Sequence, residues 1–133
     1  MSKLNTKAGT IAFLSDQGYN ITDQGAVLLL EKDELNIGGL ITNEQIEFVV
    51  DLCSINDLDM SNLQEIYEKI LDENTEILPS SFGIDSDNPK DKRLVLVDSL
   101  AMENLDKNEL LLALDALALN VIDAYDLLEE YLK

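Results

Sequence analysis

The 133 residues match one domain, and with 46% apolar but only 5% aromatic residues the core must be built from Leu, Ile, Val and Ala, with no need of a disulfide or metal. Twenty-seven acids against nine bases give a net charge of −18, which repels nucleic-acid phosphate and anionic lipid and suits a basic protein partner. The absence of histidine excludes Ser-His-Asp and Cys-His catalysis, and the single cysteine leaves the usual zinc sites without ligands.

Along the chain, residues 4–17 are expected to form a helix with Leu4, Ala8, Ile11 and Ala12 on one face and a stop at Gly18. The opening residues carry only the short apolar run IAFL, too little for a signal peptide, and no run approaches the ~20 apolar residues of a membrane span. Cys53, in FVVDLCSI, is expected as a buried thiol, and a lone cysteine fits a cytoplasmic setting. AVLLLEK, GGLIT and EQIEFVVDLC predict three antiparallel strands. The alternation in the last slips near Val49, which suggests a bulge.

NDLDMSNLQEIYEKILDEN predicts a helix with Ser61 as N-cap, Gln64 completing a capping box, and an apolar stripe of Leu63, Ile66, Tyr67, Ile70 and Leu71. In EILPSSFGID, Pro79 has no N–H and holds Leu78 extended, so the helix exits into a strand. Pro79, Phe82 and Gly83 form this joint, and Ile77, Leu78, Phe82 and Ile84 are expected to plug the core. SDNPKDK reads as a turn, RLVLVDSL as a strand and AMEN as a connector.

One long helix is expected from Asp106 to Lys133, opened by a capping box of Asp106 and Glu109. Leu110, Leu114, Leu117, Val121, Ala124, Leu128 and Tyr131 form its core stripe, and Leu111, Ala118, Ile122, Tyr125 and Leu132 widen it. Leu112 and Leu119 fall outside the stripe, on a face shared with Asp115, Asp123, Asp126 and Glu130. With Tyr125 they mark a contact for a second subunit or another protein.

The expected order is α-β-β-β-α-β-β-α, an α+β fold with a mainly antiparallel sheet and helices at the N-terminus, middle and C-terminus of a single domain, 1–133. LPSSFGI, RLVLVDSLAMEN and NVIDAYDLLEEYL together resemble the YjfI-like family, a bacterial family of unknown function. Its members are often encoded near PspA-like phage-shock proteins, which implies a role in envelope stress, and it has no established catalytic residues. The architecture also resembles class I type III secretion chaperones, dimers that wrap an unfolded stretch of a client around their sheet.

Other patterns carry less. DLDMSNLQEIYE sets Asp57, Asp59, Ser61 and Glu68 at calcium-loop positions but has Asn62 where the turn needs glycine. NIGGLIT lacks the lysine of a phosphate loop, and the pairs Glu129–Glu130 and Asp85–Asp87 are common in so acidic a chain. No catalytic, cofactor or metal residue is assigned. The expectation is a non-enzymatic, chaperone-like adaptor that binds a protein partner and neither binds nucleic acid nor inserts into a membrane. The alternatives are a small enzyme using carboxylates and a divalent metal, and an acidic immunity or inhibitor protein.

Overall fold

The structure is a computed structural model that describes residues 4–132. Its six strands form one antiparallel sheet in the order β1-β2-β3-β4-β6-β5, and three α-helices complete an α+β fold. The chain divides into two compact units, Met1–Val49 with Asp98–Leu114, and Val50–Val97 with Asp115–Lys133.

In the first unit, α1 (Lys7–Asp16) starts where the Thr6 hydroxyl accepts from the Gly9 N–H. Its buried residues are Gly9, Thr10 and Leu14, while Ala8 and Ala12 are exposed, contrary to the apolar face expected from spacing. Thr10 tolerates burial because its hydroxyl donates to the Leu4 carbonyl at 2.7 Å. Gly18, at φ 93°, ends the helix in a conformation that favours glycine.

A strand not expected from sequence follows, β1 (Asn20–Asp23), so four strands precede the second helix. The others are β2 (Val27–Lys32), β3 (Leu35–Ile41) and β4 (Gln45–Ser54), paired antiparallel in sequence. Asp33 and Glu34 both have positive φ, as a two-residue hairpin turn requires. Leu28, Leu30, Ile37, Ile46 and Phe48 make the buried face. Alternation in β4 runs without a bulge through Val49, which is an apolar residue on the open face and not a slip of phase.

In the second unit, Asp59 takes the capping role expected of Ser61. Its carboxylate accepts from the Ser61 N–H and Oγ and from Asn62 Nδ2, closing a short 3₁₀ turn ahead of α2 (Leu63–Glu73). The same carboxylate belongs to the calcium-loop pattern, and no group of three or more possible ligands forms among the described residues. Strands β5 (Ser81–Asp85) and β6 (Arg93–Ala101) form a hairpin. Helix α3 (Lys107–Leu128) runs on into a 3₁₀ turn, Glu129–Tyr131, and the expected end at Lys133 lies outside the described residues. Asp106 caps α3, accepting from the Glu109 N–H at 2.8 Å. All seven residues of the expected stripe, Leu110 to Tyr131, are buried.

One buried group stands out in the first unit. Asp98 Oδ2 finds no hydrogen-bond partner among the described residues, and burial pushes the carboxyl above its ordinary value against a partial offset from the Ser99 N–H. Ionising Asp98 therefore costs folding free energy once pH passes the unfolded value, and that cost is full above the folded one. Asp98→Asn is expected to raise the melting temperature at pH 7 and to leave it nearly unchanged near pH 3, as thermal melts at both values would show.

Candidate functional site

The joint between α2 and β5 shapes a concavity in the second unit. Helix α2 ends at Asn74, whose carbonyl Oδ1 accepts from the Phe82 N–H at 2.7 Å. From α3, Asn120 Nδ2 donates to the Ile77 carbonyl and to Ser80 Oγ, both at 2.6 Å. Ser80 Oγ in turn donates to the Ile77 carbonyl at 3.0 Å. A proline-broken segment is thus held by two amide side chains, which give partners to the Phe82 N–H, the Ile77 carbonyl and Ser80 Oγ.

Clamping sorts the joint's apolar residues. Ile77 and Phe82 are buried, but Leu78 is 72% exposed and Ile84 47%, so only half of the expected plug enters the core. Leu78 flanks Pro79 at the apex. Ile84 lies on the same face of β5 as Phe82, two residues further on, where the groove leaves it uncovered.

Outside this joint lies a groove of about 350 Å³. Tyr67, Ile70, Leu71 and Asn74 of α2 form one wall, Phe82, Gly83 and Ile84 of β5 the other, and Leu94 of β6 the floor. Among the described residues, no carboxylate, lysine or arginine lines it. Leu71, expected within the core stripe of α2, is 67% exposed, because the groove leaves its side of the helix uncovered. Gly83 lines the groove with backbone alone, and a Cβ there would make an ordinary contact with Val95 Cγ2 at 3.6 Å.

β5 is an edge strand. In an antiparallel ladder, alternate residues aim their N–H and C=O at one neighbour. The Phe82 N–H goes to Asn74, so Phe82 and Ile84 are the residues whose backbone groups point away from β6. The groove therefore pairs apolar side chains with edge backbone, the combination that suits an extended polypeptide.

The residues expected at a contact on α3 lie elsewhere. Leu119 (65% exposed) shares the second unit with Ile122 (60%) and with exposed Asp115, Asp123 and Asp126. Leu112, 68% exposed, belongs to the first unit. Tyr125 is partly committed to its own fold, donating from Oη to the Leu52 carbonyl at 2.9 Å. Cys53 is buried as expected, and burial, then the nearby Asp57, pushes its thiol up. A second depression, about 310 Å³, is polar and runs along Ser61, Asn62, Gln64, Glu65 and Glu68. Pro79, Phe82 and Gly83 were placed in the joint from sequence, with Ile84 expected in its core plug, whereas Leu71 and Asn120 were not tied to it. The signal for Asn120 is a lone amide in an otherwise apolar turn, LALNVI.

The CesT_Tir_1 model, that of a type III secretion chaperone-like family, matches residues 6–133. Among solved structures, the chain is similar to YbjN from E. coli, described as a candidate transcription regulator, with a TM-score of 0.71, 14% identity and 99% of each chain covered. It is also similar to an uncharacterized protein from Methanothermobacter thermautotrophicus, with a TM-score of 0.67, 14% identity, and coverage of 94% of this chain and 98% of the other. No curated protein matches the sequence.

Two truncations test how the joint divides core from groove. Phe82→Ala is expected to cost about 3–5 kcal/mol and Ile84→Ala less than about 1 kcal/mol in urea unfolding. Asn120→Ala, which strips the Ile77 carbonyl and Ser80 of a donor, is expected to cost about 1–3 kcal/mol.

Proposed function

The chain belongs to the CesT_Tir_1 family, and on that premise we propose that it is a non-enzymatic, chaperone-like adaptor that holds an extended apolar segment of a protein partner in the groove between α2 and β5. The observation that carries this reading is the uncharged groove, open at Leu71 and Ile84, beside an edge strand. A segment laid along β5 would meet the backbone of Ile84 and place alternate side chains against the groove wall.

Charge selects the partner's chemistry. A net charge of −18 attracts lysine- and arginine-rich chains, speeds their encounter and makes capture salt-sensitive. The same field repels phosphate, so the partner is a protein and not a nucleic acid. On α3, Leu119 and Ile122 offer a further contact. The carboxylates of Asp115, Asp123 and Asp126 beside them favour a basic partner there over a second copy of this chain. No helix among the described residues is long and apolar enough to cross a membrane. A cytoplasmic adaptor serving envelope stress is the setting that the YjfI-like resemblance supports.

Aggregation of reduced lysozyme, a basic unfolded chain, tests the reading against reduced α-lactalbumin, an acidic one. The protein is expected to suppress the first more than the second, and less so as NaCl rises. Leu71→Ser with Ile84→Ser keeps the charge and removes two anchors, each worth about 1.5–3 kcal/mol if fully buried by the client, so the concentration needed should rise at least tenfold. Equal suppression by this variant would reject the groove as the client site, and equal protection of both clients would reject selection by charge.

A further inference from the structure

The first unit carries a second apolar surface, on the open face of the sheet. Directly paired residues point to one side, so the registers of β2, β3 and β4 set out that face. One row reads Leu29, Gly38, Val49, and the next reads Val27, Leu40, Glu47. Val27, Leu29 and Val49 are 38%, 43% and 37% exposed. Residues of opposite parity, Leu28, Leu30, Ile37 and Phe48, are buried. Strand β2 is therefore apolar on both faces, the pattern of a strand covered on both, yet one face is open.

At the centre of the row is a notch. Leu29 and Val49 are each opposite Gly38, two strand spacings or about 10 Å from one another. Gly38 is not demanded by its backbone: its φ is not positive, and a Cβ would meet nothing closer than the Val49 carbonyl at 3.6 Å. A β-branched residue would suit the strand better. What glycine leaves there is a gap as wide as one aliphatic or aromatic side chain.

Charge at the rim identifies what fills it. Glu31 stands beyond Leu29 on the same face, and Glu47 stands beside Leu40. The one base in these strands, Lys32, has the opposite parity and lies over the Tyr19 ring at 5.0 Å. Within β2, β3 and β4 the open face thus presents apolar side chains between two carboxylates and no lysine or arginine. A second copy would bring a face of the same sign against it.

We propose that this notch is a docking site for a basic protein segment that inserts one apolar anchor between Leu29 and Val49 and pairs flanking lysine or arginine with Glu31 and Glu47. The proposal takes only the class of partner from the reading above and does not use the groove at β5.

The test is titration of isotope-labelled protein, followed by amide NMR, with a synthetic peptide of lysines around a central phenylalanine. Counterparts carry glutamate for lysine, or serine for phenylalanine. The parent peptide is expected to shift the amides of Leu29, Gly38, Leu40 and Val49, and both counterparts to bind at least tenfold more weakly. Gly38→Val is expected to keep or raise the melting temperature and weaken the parent peptide at least tenfold. Leu29→Ser serves as the second variant if Gly38→Val does not fold. Undiminished binding to the folded variant overturns the proposal, as does equal binding of the glutamate peptide. Shifts confined to residues 67–84 overturn it while leaving the groove reading intact, and no shift with any peptide overturns both. A wild-type dimer in light scattering that Gly38→Val dissociates would assign the notch to a second copy, against the proposal.

Discussion

Two asparagine side chains hold the segment on which the β5 groove depends. Residues 74–82 leave a helix, pass a proline and enter an edge strand, so their backbone can join neither the helical ladder nor the sheet ladder throughout. Asn74 takes the Phe82 N–H and Asn120 supplies the Ile77 carbonyl, which closes most of that deficit. With those bonds made, Phe82 and Ile77 can go inward, and Leu78 and Ile84 are left outside. An asparagine fits both tasks because its amide both donates and accepts without charge, so burial beside Ile77 carries no ionic desolvation cost. The exposed apolar residues of the groove are thus the geometric remainder of a satisfied turn.

How much of this was legible depended on the range of the interaction. Helix α3 could be read closely, because its stripe repeats over 22 residues without Gly or Pro and the period of 3.6 then decides which side is buried. The joint could be located from Pro79 but not sorted, since nothing local tells Ile77 from Leu78. Their fates turn on Asn120, 43 residues away from Ile77. The capping assignment failed at short range for a different reason. A 3₁₀ turn at Met60–Asn62 moves the start of α2 past Ser61, and Asp59 reaches the donors first. Strand β1, four residues with one apolar side chain, has too little alternation to be seen before its pairing with β2 is known.

Val49 shows how an exposed apolar surface can masquerade as irregularity. Under the rule that one face of an antiparallel sheet is polar, an apolar residue out of phase implies a bulge. The register with Gly38 and Phe48's partner Gly39 is unbroken, so the rule itself is what this sheet departs from. The same departure appears in β2, where four apolar residues in succession cannot all face one core. Departures of this kind gather where a surface has work beyond folding.

Apolar surface on an acidic protein sets two opposing forces on any contact between copies of the chain. A net charge of −18 supplies the repulsion. Like chains repel over about a Debye length, roughly 8 Å at physiological salt, and carboxylates border both exposed patches: Glu31 and Glu47 on the sheet, Asp115, Asp123 and Asp126 on α3. Hydrophobic contact acts only once those charges are brought together, so the field discriminates before the apolar anchors can bind. In the proposed docking role, a basic chain would meet the opposite sign at the same distance and be drawn to the anchors. Charge and apolar area would then divide the labour, the first choosing the class of partner and the second retaining it.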